Sequence, residues 1–331
     1  MKRILFAVVL TVLVSVNVFA DSTWSGGSDI FTHGSGTQSS PYQIETADQL
    51  AFVAEMVNAG VTTYSGNYFK LMTNINLNNI AWTPIGNSTT NLFAGNFDGN
   101  GFKIYNMKIS SAATYAGLFG IVSGGEYKNL TVQGSIRSSV NATDAGGLIG
   151  RSTATIHVIN CQNKVAIDGG SNVGGIIGNA VDVTISKCIN HFNVSGNDIA
   201  GGIVGLASTM DIDSCYNIGE ISSKLYCGGI VGCIHINSNS IISNSVNKGK
   251  IVCVSGMSLR KQSNDTSGPM TGIDFHYIYI EDHFYYSSYC YAGGILGFVD
   301  ENYYHNTTAI IHIISVHENI LTYQLLRNIL F

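Results

Sequence analysis

Gly174-Gly175-Ile176-Ile177-Gly178 is one copy of a short phrase that occurs four times at nearly constant spacing. The second glycines of successive copies lie 28, 27 and 27 residues apart. A fixed period in the twenties is typical of a solenoid, in which each repeat forms one coil and its neighbours complete the core. The other copies are Gly146-Gly147-Leu148-Ile149-Gly150, Gly201-Gly202-Ile203-Val204-Gly205 and Gly228-Gly229-Ile230-Val231-Gly232, with looser ones at Ala116-Gly117-Leu118-Phe119-Gly120 and Gly293-Gly294-Ile295-Leu296-Gly297.

Residues at other positions of the repeat recur with the same spacing. Each set of equivalent residues, one from each coil, forms a column along the predicted solenoid. Because equivalent residues of stacked parallel strands lie about 4.8 Å apart, a column of asparagines predicts an asparagine ladder at a corner of the coil. The apolar columns supply the shared core that a single coil cannot build alone. The columns are Cys161, Cys188, Cys215 and Ser245; Asn163, Asn190, Asn217 and Asn247; Val158, Ile185, Ile212 and Ile242; and Ile167, Val194, Ile221 and Ile251.

Each coil consists of short β-branched runs broken by glycine, asparagine or serine. Val183–Ser186, Phe192–Val194 and Ile199–Val204 would form three strands of one coil. The pattern predicts an all-β fold, a right-handed parallel β-helix with three sheets and about 27 residues per coil. The hand follows from the strong preference of parallel crossovers for right-handedness. A leucine-rich horseshoe is the alternative, but isoleucine and valine occupy the columns where it needs leucine.

A single amphipathic helix is predicted ahead of the repeats. Pro41-Tyr42-Gln43-Ile44 is a predicted strand, Thr46 is the predicted N-cap of the helix, and Gly60 follows its end. A helix in this position can cap the first coil, whose open edge would otherwise invite aggregation. Its predicted apolar face consists of Leu50, Val53, Ala54 and Val57.

The composition and the first twenty residues predict export. Lys2 and Arg3 precede an apolar run from Ile4 to Val18, which indicates a signal peptide over residues 1–20, cleaved before Asp21. No later stretch is apolar enough to span a membrane. Charged residues are 11% of the chain and the net charge is −5, which argues against nucleic-acid binding. We therefore expect a secreted protein or one on the extracellular face of the cell surface.

Seven cysteines in an exported chain leave two interpretations open. Cys161, Cys188 and Cys215 occupy an apolar column and are predicted to be small buried hydrophobic residues. Cys227 with Cys233, or Cys253 with Cys290, could instead form disulfides, which the sequence alone does not decide.

The ordered motifs resemble those of GLUG-repeat proteins over roughly residues 24 to 297. The resemblance implies an exported bacterial surface protein with a β-solenoid region and adhesive or scaffold roles. The chain is also similar to the repeat region of some immunoglobulin-A-cleaving metallopeptidases, without their separate catalytic domain. The family offers no catalytic residue to carry over. The matching segments are Pro41-Tyr42-Gln43-Ile44, Thr46-Ala47-Asp48-Gln49-Leu50, Trp82-Thr83-Pro84-Ile85-Gly86, Phe97-Asp98-Gly99-Asn100-Gly101 and the glycine phrases.

The repeat pattern breaks once, and the break supplies the predicted binding site. Gly229 and Gly294 are 65 residues apart, so about 38 residues are inserted into one coil. Insertions in solenoids project as loops, and tyrosines suit contact surfaces because sugar rings stack on them. Host glycans or extracellular matrix proteins are the expected partners, whereas the alternative is a β-hairpin packed on the coil. The candidate contact residues are Phe275, Tyr277, Tyr279, Tyr285, Tyr286 and Tyr289.

These features divide the chain into five predicted segments. Residues 1–20 form the signal peptide, 21–110 the N-terminal cap and leading module, and 111–257 the main repeats. Residues 258–291 form the aromatic-rich insertion, and 292–331 the last degenerate repeat and the tail.

Catalytic and metal-binding motifs are incomplete in the sequence. His317-Glu318 begins like a zinc-peptidase helix, but Leu321 stands where the second histidine is needed. Asp98 and Asn100 fit a turn better than a calcium loop. The repeat-region carboxylates are scattered; of these, Asp182 and Asp211, nearly one period apart, could form an acidic stripe, although solvated surface is the favoured interpretation.

The sequence thus predicts a non-catalytic β-solenoid with an adhesion or structural scaffold role and no cofactor. One alternative is a lyase or hydrolase that acts on extracellular polysaccharide. It would need two carboxyl groups that converge near Tyr277–Tyr291. Another alternative is an accessory repeat segment of a surface metallopeptidase.

Overall fold

The computed structural model describes residues 20–111, 113–138, 143–235, 240–253, 291–293, 296–300 and 311–314. Within these ranges the chain forms one helix, α1 (Ala47–Asn58), and thirty short strands. The strands are β1 Ser22–Thr23, β2 Tyr42–Ile44, β3 Tyr68–Leu71, β4 Ile75–Asn76, β5 Asn96–Asp98, β6 Lys103–Ser111, β7 Tyr115–Ala116, β8 Phe119–Val122, β9 Glu126–Lys128, β10 Thr131–Ser138, β11 Asp144–Gly146, β12 Ile149–Ser152, β13 Thr155–Ile159, β14 Gln162–Asp168, β15 Asn172–Gly174, β16 Ile177–Ser186, β17 Ile189–Asn190, β18 Val194–Ser195, β19 Ile199–Gly201, β20 Val204–Asp213, β21 Tyr216–Asn217, β22 Ile221–Ser223, β23 Tyr226–Gly228, β24 Val231–His235, β25 Ser240–Ser243, β26 Val246–Asn247, β27 Ile251–Cys253, β28 Tyr291–Gly293, β29 Leu296–Asp300 and β30 Ile311–Ile314.

The strands form three parallel sheets of eleven, six and thirteen strands. Within one coil the chain passes from the eleven-stranded sheet (β14) to the six-stranded sheet (β15) and then to the thirteen-stranded sheet (β16). The same order repeats in β18, β19 and β20 and in β22, β23 and β24. This topology confirms the predicted three-sheet parallel solenoid, while the hand of the coil stays a prediction.

The strand register confirms the apolar columns. Val158 pairs with Ile185, which pairs with Ile212, which pairs with Ile242. All four side chains are buried, and they belong to one hydrophobic core that extends from the leading coils to the last repeats. Ile167, Val194, Ile221 and Ile251 are in register in the same way.

The glycine phrase forms the turn between the six-stranded and thirteen-stranded sheets. The sequence predicts one strand over Ile199–Val204, and this prediction is wrong because Gly202 and Ile203 separate β19 from β20. In the looser copy that precedes the four regular ones, Ala116 pairs with Ala145, and Phe119 pairs with Ile149. That copy therefore has a turn one residue shorter, with a single glycine in place of two.

The second glycine of the central phrases packs against both the asparagine ladder and the next coil. A Cβ added at Gly175 would lie 2.6 Å from Cγ of Asn190 and 2.1 Å from the Gly202 carbonyl oxygen. One at Gly202 would lie 2.5 Å from Cγ of Asn217 and 2.1 Å from the Gly229 carbonyl oxygen. Real Cβ atoms do not approach other atoms so closely, so a larger residue would displace both the carboxamide and the neighbouring backbone. The glycine column and the asparagine column therefore pack directly against each other.

The asparagine ladder is present and fully buried at its centre. The Nδ2 atoms of Asn163, Asn190 and Asn217 each donate to Oδ1 of the next asparagine at 2.7 Å. Each carboxamide also donates to the backbone carbonyl two residues ahead, as Asn190 does to Phe192 at 2.8 Å. These bonds satisfy polar groups that would otherwise be costly inside the core.

The predicted helix and its cap are confirmed. Thr46 is the N-cap, and its side chain accepts from the backbone N–H of Gln49, whose side chain accepts in return from the backbone N–H of Thr46. This capping box satisfies two backbone donors at the helix start. The helix packs its apolar face into the same core as the first coils, through Leu50, Val53, Ala54 and Val57.

The cysteine column is also confirmed as buried and unpaired. Cys161, Cys188 and Cys215 are free thiols, and the backbone N–H of Cys215 donates to the Ser245 hydroxyl in the next coil at 3.1 Å. The alternative disulfide between Cys227 and Cys233 is not formed. Cys227 lies on β23 of the six-stranded sheet, before the glycine turn, and Cys233 lies on β24 of the thirteen-stranded sheet, after it. The alternative pair of Cys253 and Cys290 lies outside the described side chains.

The buried thiol of Cys188 makes the fold sensitive to alkali. Burial raises the pKa of Cys188 well above its ordinary value of 9.0. The unfolded chain therefore loses this proton at lower pH than the folded chain, so the stabilisation is complete below pH 9 and declines as pH rises further. We expect the Tm of the wild-type chain to fall more between pH 8 and pH 10.5 than that of Cys188→Ser.

Serine is a matched replacement because Ser245 occupies the same column one coil beyond Cys215. Burial also raises the pKa of Tyr127, so the variant should keep part of the alkaline loss. Equal decreases in Tm for the two chains would contradict the assignment to Cys188.

Candidate functional site

The aromatic contact residues predicted from the sequence lie outside the described residues, as do His317 and Glu318. Residues 277–290, near which the polysaccharide-enzyme alternative needs two carboxyl groups, also lie outside them. The flanking strands nevertheless place the insertion point. In the preceding coil β22 ends at Ser223 and β23 begins at Tyr226, whereas β27 ends at Cys253 and β28 begins at Tyr291. Tyr291 pairs with Tyr226, so the coil pattern resumes in register after the insertion. The aromatic residues concerned are Phe275, Tyr277, Tyr279, Tyr285, Tyr286 and Tyr289.

The acidic stripe suggested by Asp182 and Asp211 is not formed. Asp182 pairs with Thr209, and Asp211 pairs with Thr184, so the two carboxylates occupy different columns. Residues that pair in these two coils are 27 positions apart, whereas the two aspartates are 29 positions apart. Asp211 therefore lies two residues beyond the partner of Asp182. Asp182 instead accepts a hydrogen bond from the Thr155 hydroxyl of the preceding coil at 2.5 Å.

Asp144 is the one fully buried carboxylate among the described residues, and no sequence motif distinguishes it from the other aspartates of the repeats. It accepts hydrogen bonds from Arg151 Nε, from Asn172 Nδ2 at 2.7 Å and from Asn179 Nδ2 at 3.4 Å. Arg151 in turn lies over the Tyr115 ring, 5.0 Å from its centroid. Because several donors converge on this carboxylate, we interpret it as structural.

The predicted turn at Asp98 is confirmed. The backbone N–H of Asn100 donates to Asp98 Oδ1 at 2.8 Å, and Asn129 Nδ2 donates to the same atom at 3.0 Å. Asn100 has a φ of 52°, a left-handed conformation that asparagine tolerates well. Throughout the part of the chain that the structure describes, no three His, Cys, Asp or Glu side chains are grouped to hold a metal ion.

An open depression on the outer face of the thirteen-stranded sheet is a candidate binding site. Tyr68 pairs with Asn96, and Glu126 pairs with His157 on the next two strands. The backbone N–H of Glu126 donates to Asn96 Oδ1 at 3.0 Å, which joins the two pairs into one column. The depression has a volume of about 410 Å³ and is lined by this column together with Gln38, Gly125 and Thr155.

A glycine and a docked loop contribute to the lining of the depression. Gly125 has a φ of 95°, and a Cβ added there would lie 2.2 Å from the Gly95 carbonyl oxygen, so this position requires glycine. Gln38 stands on the loop before β2, and that loop is held against the sheet by two bonds to the Gly36 carbonyl. The Tyr68 backbone N–H donates to it at 2.9 Å and Asn67 Nδ2 at 3.3 Å.

The charge of the depression is nearly balanced. Lys128 donates to the Glu126 carboxylate at 2.6 Å, and this hydrogen bond raises the pKa of Lys128. The carboxylate is therefore held in place with its charge offset. Among the described residues, the side chains of Tyr68, Gln38 and His157 make no hydrogen bond, so all three can bind a ligand.

No protein-family model matches the chain. Among curated proteins it is 33% identical over 156 residues to Halomucin of Haloquadratum walsbyi, a match that covers 44% of this chain and 2% of Halomucin. It is 30% identical over 165 residues to the "Putative Gly-rich membrane protein" of Evansella cellulosilytica, covering 46% of this chain and 18% of that protein. The chain therefore spans only a small part of the length of either relative.

Among solved structures, the fold is similar to a "putative immunoglobulin A1 protease" from Bacteroides ovatus. The superposition has a TM-score of 0.45 and 19% sequence identity, and it covers 82% of this chain and 87% of the other. Within the described ranges, no helix combines the length and the apolar character that crossing a bilayer requires.

Proposed function

We propose that the chain is a non-catalytic, exported β-solenoid with an adhesion or structural scaffold role at the cell surface. The observation that carries the proposal is the in-register stack of coils, braced inside by the asparagine ladder. Such a stack holds the outer faces of its sheets in fixed positions along the axis. Rigid polar faces of this kind suit repeated contacts with an extended partner.

The curated relatives support a location outside the cell. One of them carries the words "membrane protein" in its name, and both match just under half of this chain. Both relatives are far longer than this chain, so the stretch they share with it is one part of a larger protein. A solenoid that spaces or presents other parts of a surface protein fits this arrangement.

The partners we propose are host glycans or extracellular matrix proteins. The test is an array of glycans and matrix proteins probed with residues 21–331 and with the same chain lacking 258–291. We expect saturable binding of at least one glycan or matrix protein that is lost or strongly weakened by the deletion. The Tm of both chains should be compared, because the deletion must leave the coils folded for the result to count.

Binding that is equal in both chains would contradict a role for the aromatic insertion while leaving adhesion in place. The absence of binding by both folded chains would contradict adhesion and leave the scaffold role. Turnover of any polysaccharide on the array would contradict the non-catalytic assignment.

A further inference from the structure

The depression lined by Tyr68, Asn96, Glu126 and His157 has the side chains that recognise a sugar. A pyranose presents an apolar face and a rim of hydroxyl groups. An aromatic ring packs against the face, and planar polar groups that both donate and accept hydrogen bonds serve the rim. Tyr68 supplies the half-buried ring, and Gln38 supplies a carboxamide with no hydrogen bond among the described residues.

The electrostatics favour a neutral ligand. The single carboxylate of the lining, Glu126, is offset by Lys128 at 2.6 Å, so no net positive charge is available for a phosphate, sulfate or uronic acid. The polar lining also disfavours a lipid tail or an apolar peptide, because such a ligand would strip water from Glu126, His157 and Asn96 without replacing the lost hydrogen bonds.

The shape favours more than one sugar unit. The four side chains stand on four successive strands, β3, β5, β9 and β13. Neighbouring strands are about 4.8 Å apart, so the column extends about 14 Å along the solenoid axis. A chain of several sugars lying along the axis would contact the whole column, whereas a monosaccharide would contact one end.

We propose that this depression binds a neutral oligosaccharide without transforming it. Tyr68 stacks on one sugar ring, the Glu126 carboxylate accepts from its hydroxyls, and the Gln38 and His157 side chains contact the flanking units. The proposal rests on the adhesion role proposed above and names the ligand class of one surface, whose lining includes no residue of the aromatic insertion.

The test is calorimetric titration of the full chain with four-unit oligosaccharides of three kinds, namely neutral hexose, N-acetylhexosamine and uronic acid. We expect binding of a neutral tetrasaccharide and not of the uronic acid. Tyr68→Ala should raise its Kd by about tenfold, the loss expected for a stacking ring. Tyr68→Phe keeps the ring and should bind within about threefold of the wild type.

Tyr216→Ala is the matched control, because Tyr216 is an exposed tyrosine on the eleven-stranded sheet, away from the depression. It should bind as the wild type does. The proposal is overturned if no neutral tetrasaccharide binds, if the uronic acid binds more tightly, or if Tyr68→Ala and Tyr216→Ala have equal Kd values. If Tyr68→Ala binds normally while deletion of 258–291 abolishes array binding, the depression fails as a site and the adhesion role stands.

Discussion

Asn190→Ala should lower the free energy of unfolding by about 4 kcal/mol, because it breaks the asparagine ladder at its centre. The substitution removes the acceptor of Asn163 Nδ2 and the donor to Asn217 Oδ1, both at 2.7 Å. Those two groups stay buried and cannot turn to water. Each unsatisfied group costs about 1–3 kcal/mol, and the lost carboxamide leaves a cavity beside Gly175. Urea denaturation followed by far-ultraviolet circular dichroism measures the change.

Asn193→Ala is the control for this prediction. Asn193 is an exposed residue of the same coil whose side chain accepts only one hydrogen bond, from the Glu220 backbone N–H at 3.0 Å. Its substitution should cost less than about 1 kcal/mol because water can replace the lost partner. If Asn190→Ala and Asn193→Ala were equally stable, the ladder would contribute no more than an exposed turn bond.

The pH dependence of Asn190→Asp separates the effect of lost hydrogen bonds from the effect of a buried charge. A carboxylate at this buried position faces Asn217 Oδ1 with no proton to donate. Burial should raise its folded-state pKa above the unfolded value of about 3.9, so the variant is most stable below that pH and loses stability as pH rises. We expect the variant to approach the wild type in stability at pH 3.5 and to be far less stable at pH 7.

The columns of the repeats could be predicted from the sequence because parallel stacking keeps the sequence period in space. Where coils have the same length, residues 27 apart lie side by side, as Asn163, Asn190 and Asn217 do. The prediction of one strand over Ile199–Val204 is wrong because apolar residues continue on both sides of the Gly201-Gly202 pair, which is the only turn signal at this point. The close approach of Gly202 to Asn217 explains the turn only once both are seen together.

The depression could not be predicted because the leading coils differ in length. From Tyr68 to Asn96, Glu126 and His157 the steps are 28, 30 and 31 residues, so no constant period connects them. Gln38 joins them through a loop that docks on the sheet by hydrogen bonds to the Gly36 carbonyl, an acceptor that any residue type would supply. The burial of Asp144 could not be predicted for a related reason. Asp144 and its partner Asn172 occupy a column in which the residue type changes from coil to coil.

Asp144→Ala should lower the free energy of unfolding by about 3 kcal/mol. This is the low end of the cost of breaking a buried ion pair, because the Arg151 side chain is 26% exposed and water can partly solvate it. The substitution leaves the Arg151 guanidinium without its carboxylate and removes the acceptor of Asn172 and Asn179. Lys250→Ala is the control. It breaks the exposed pair of Lys250 and Glu220 at 3.8 Å and should cost less than about 1 kcal/mol.

The next coil supplies the compensating change. Asn172 is in register with Asp144, and Asn179 is in register with Arg151, so that coil folds with an amide at each of these positions. We therefore expect the double variant Asp144→Asn/Arg151→Asn to recover to within about 1 kcal/mol of the wild type, since replacing both members of a buried pair avoids an unpaired charge. Denaturation of Asp144→Asn, of Arg151→Asn and of the double variant completes a thermodynamic cycle. A double variant as unstable as Asp144→Ala would show that the ion pair itself, and not the satisfaction of its buried groups, stabilises this turn.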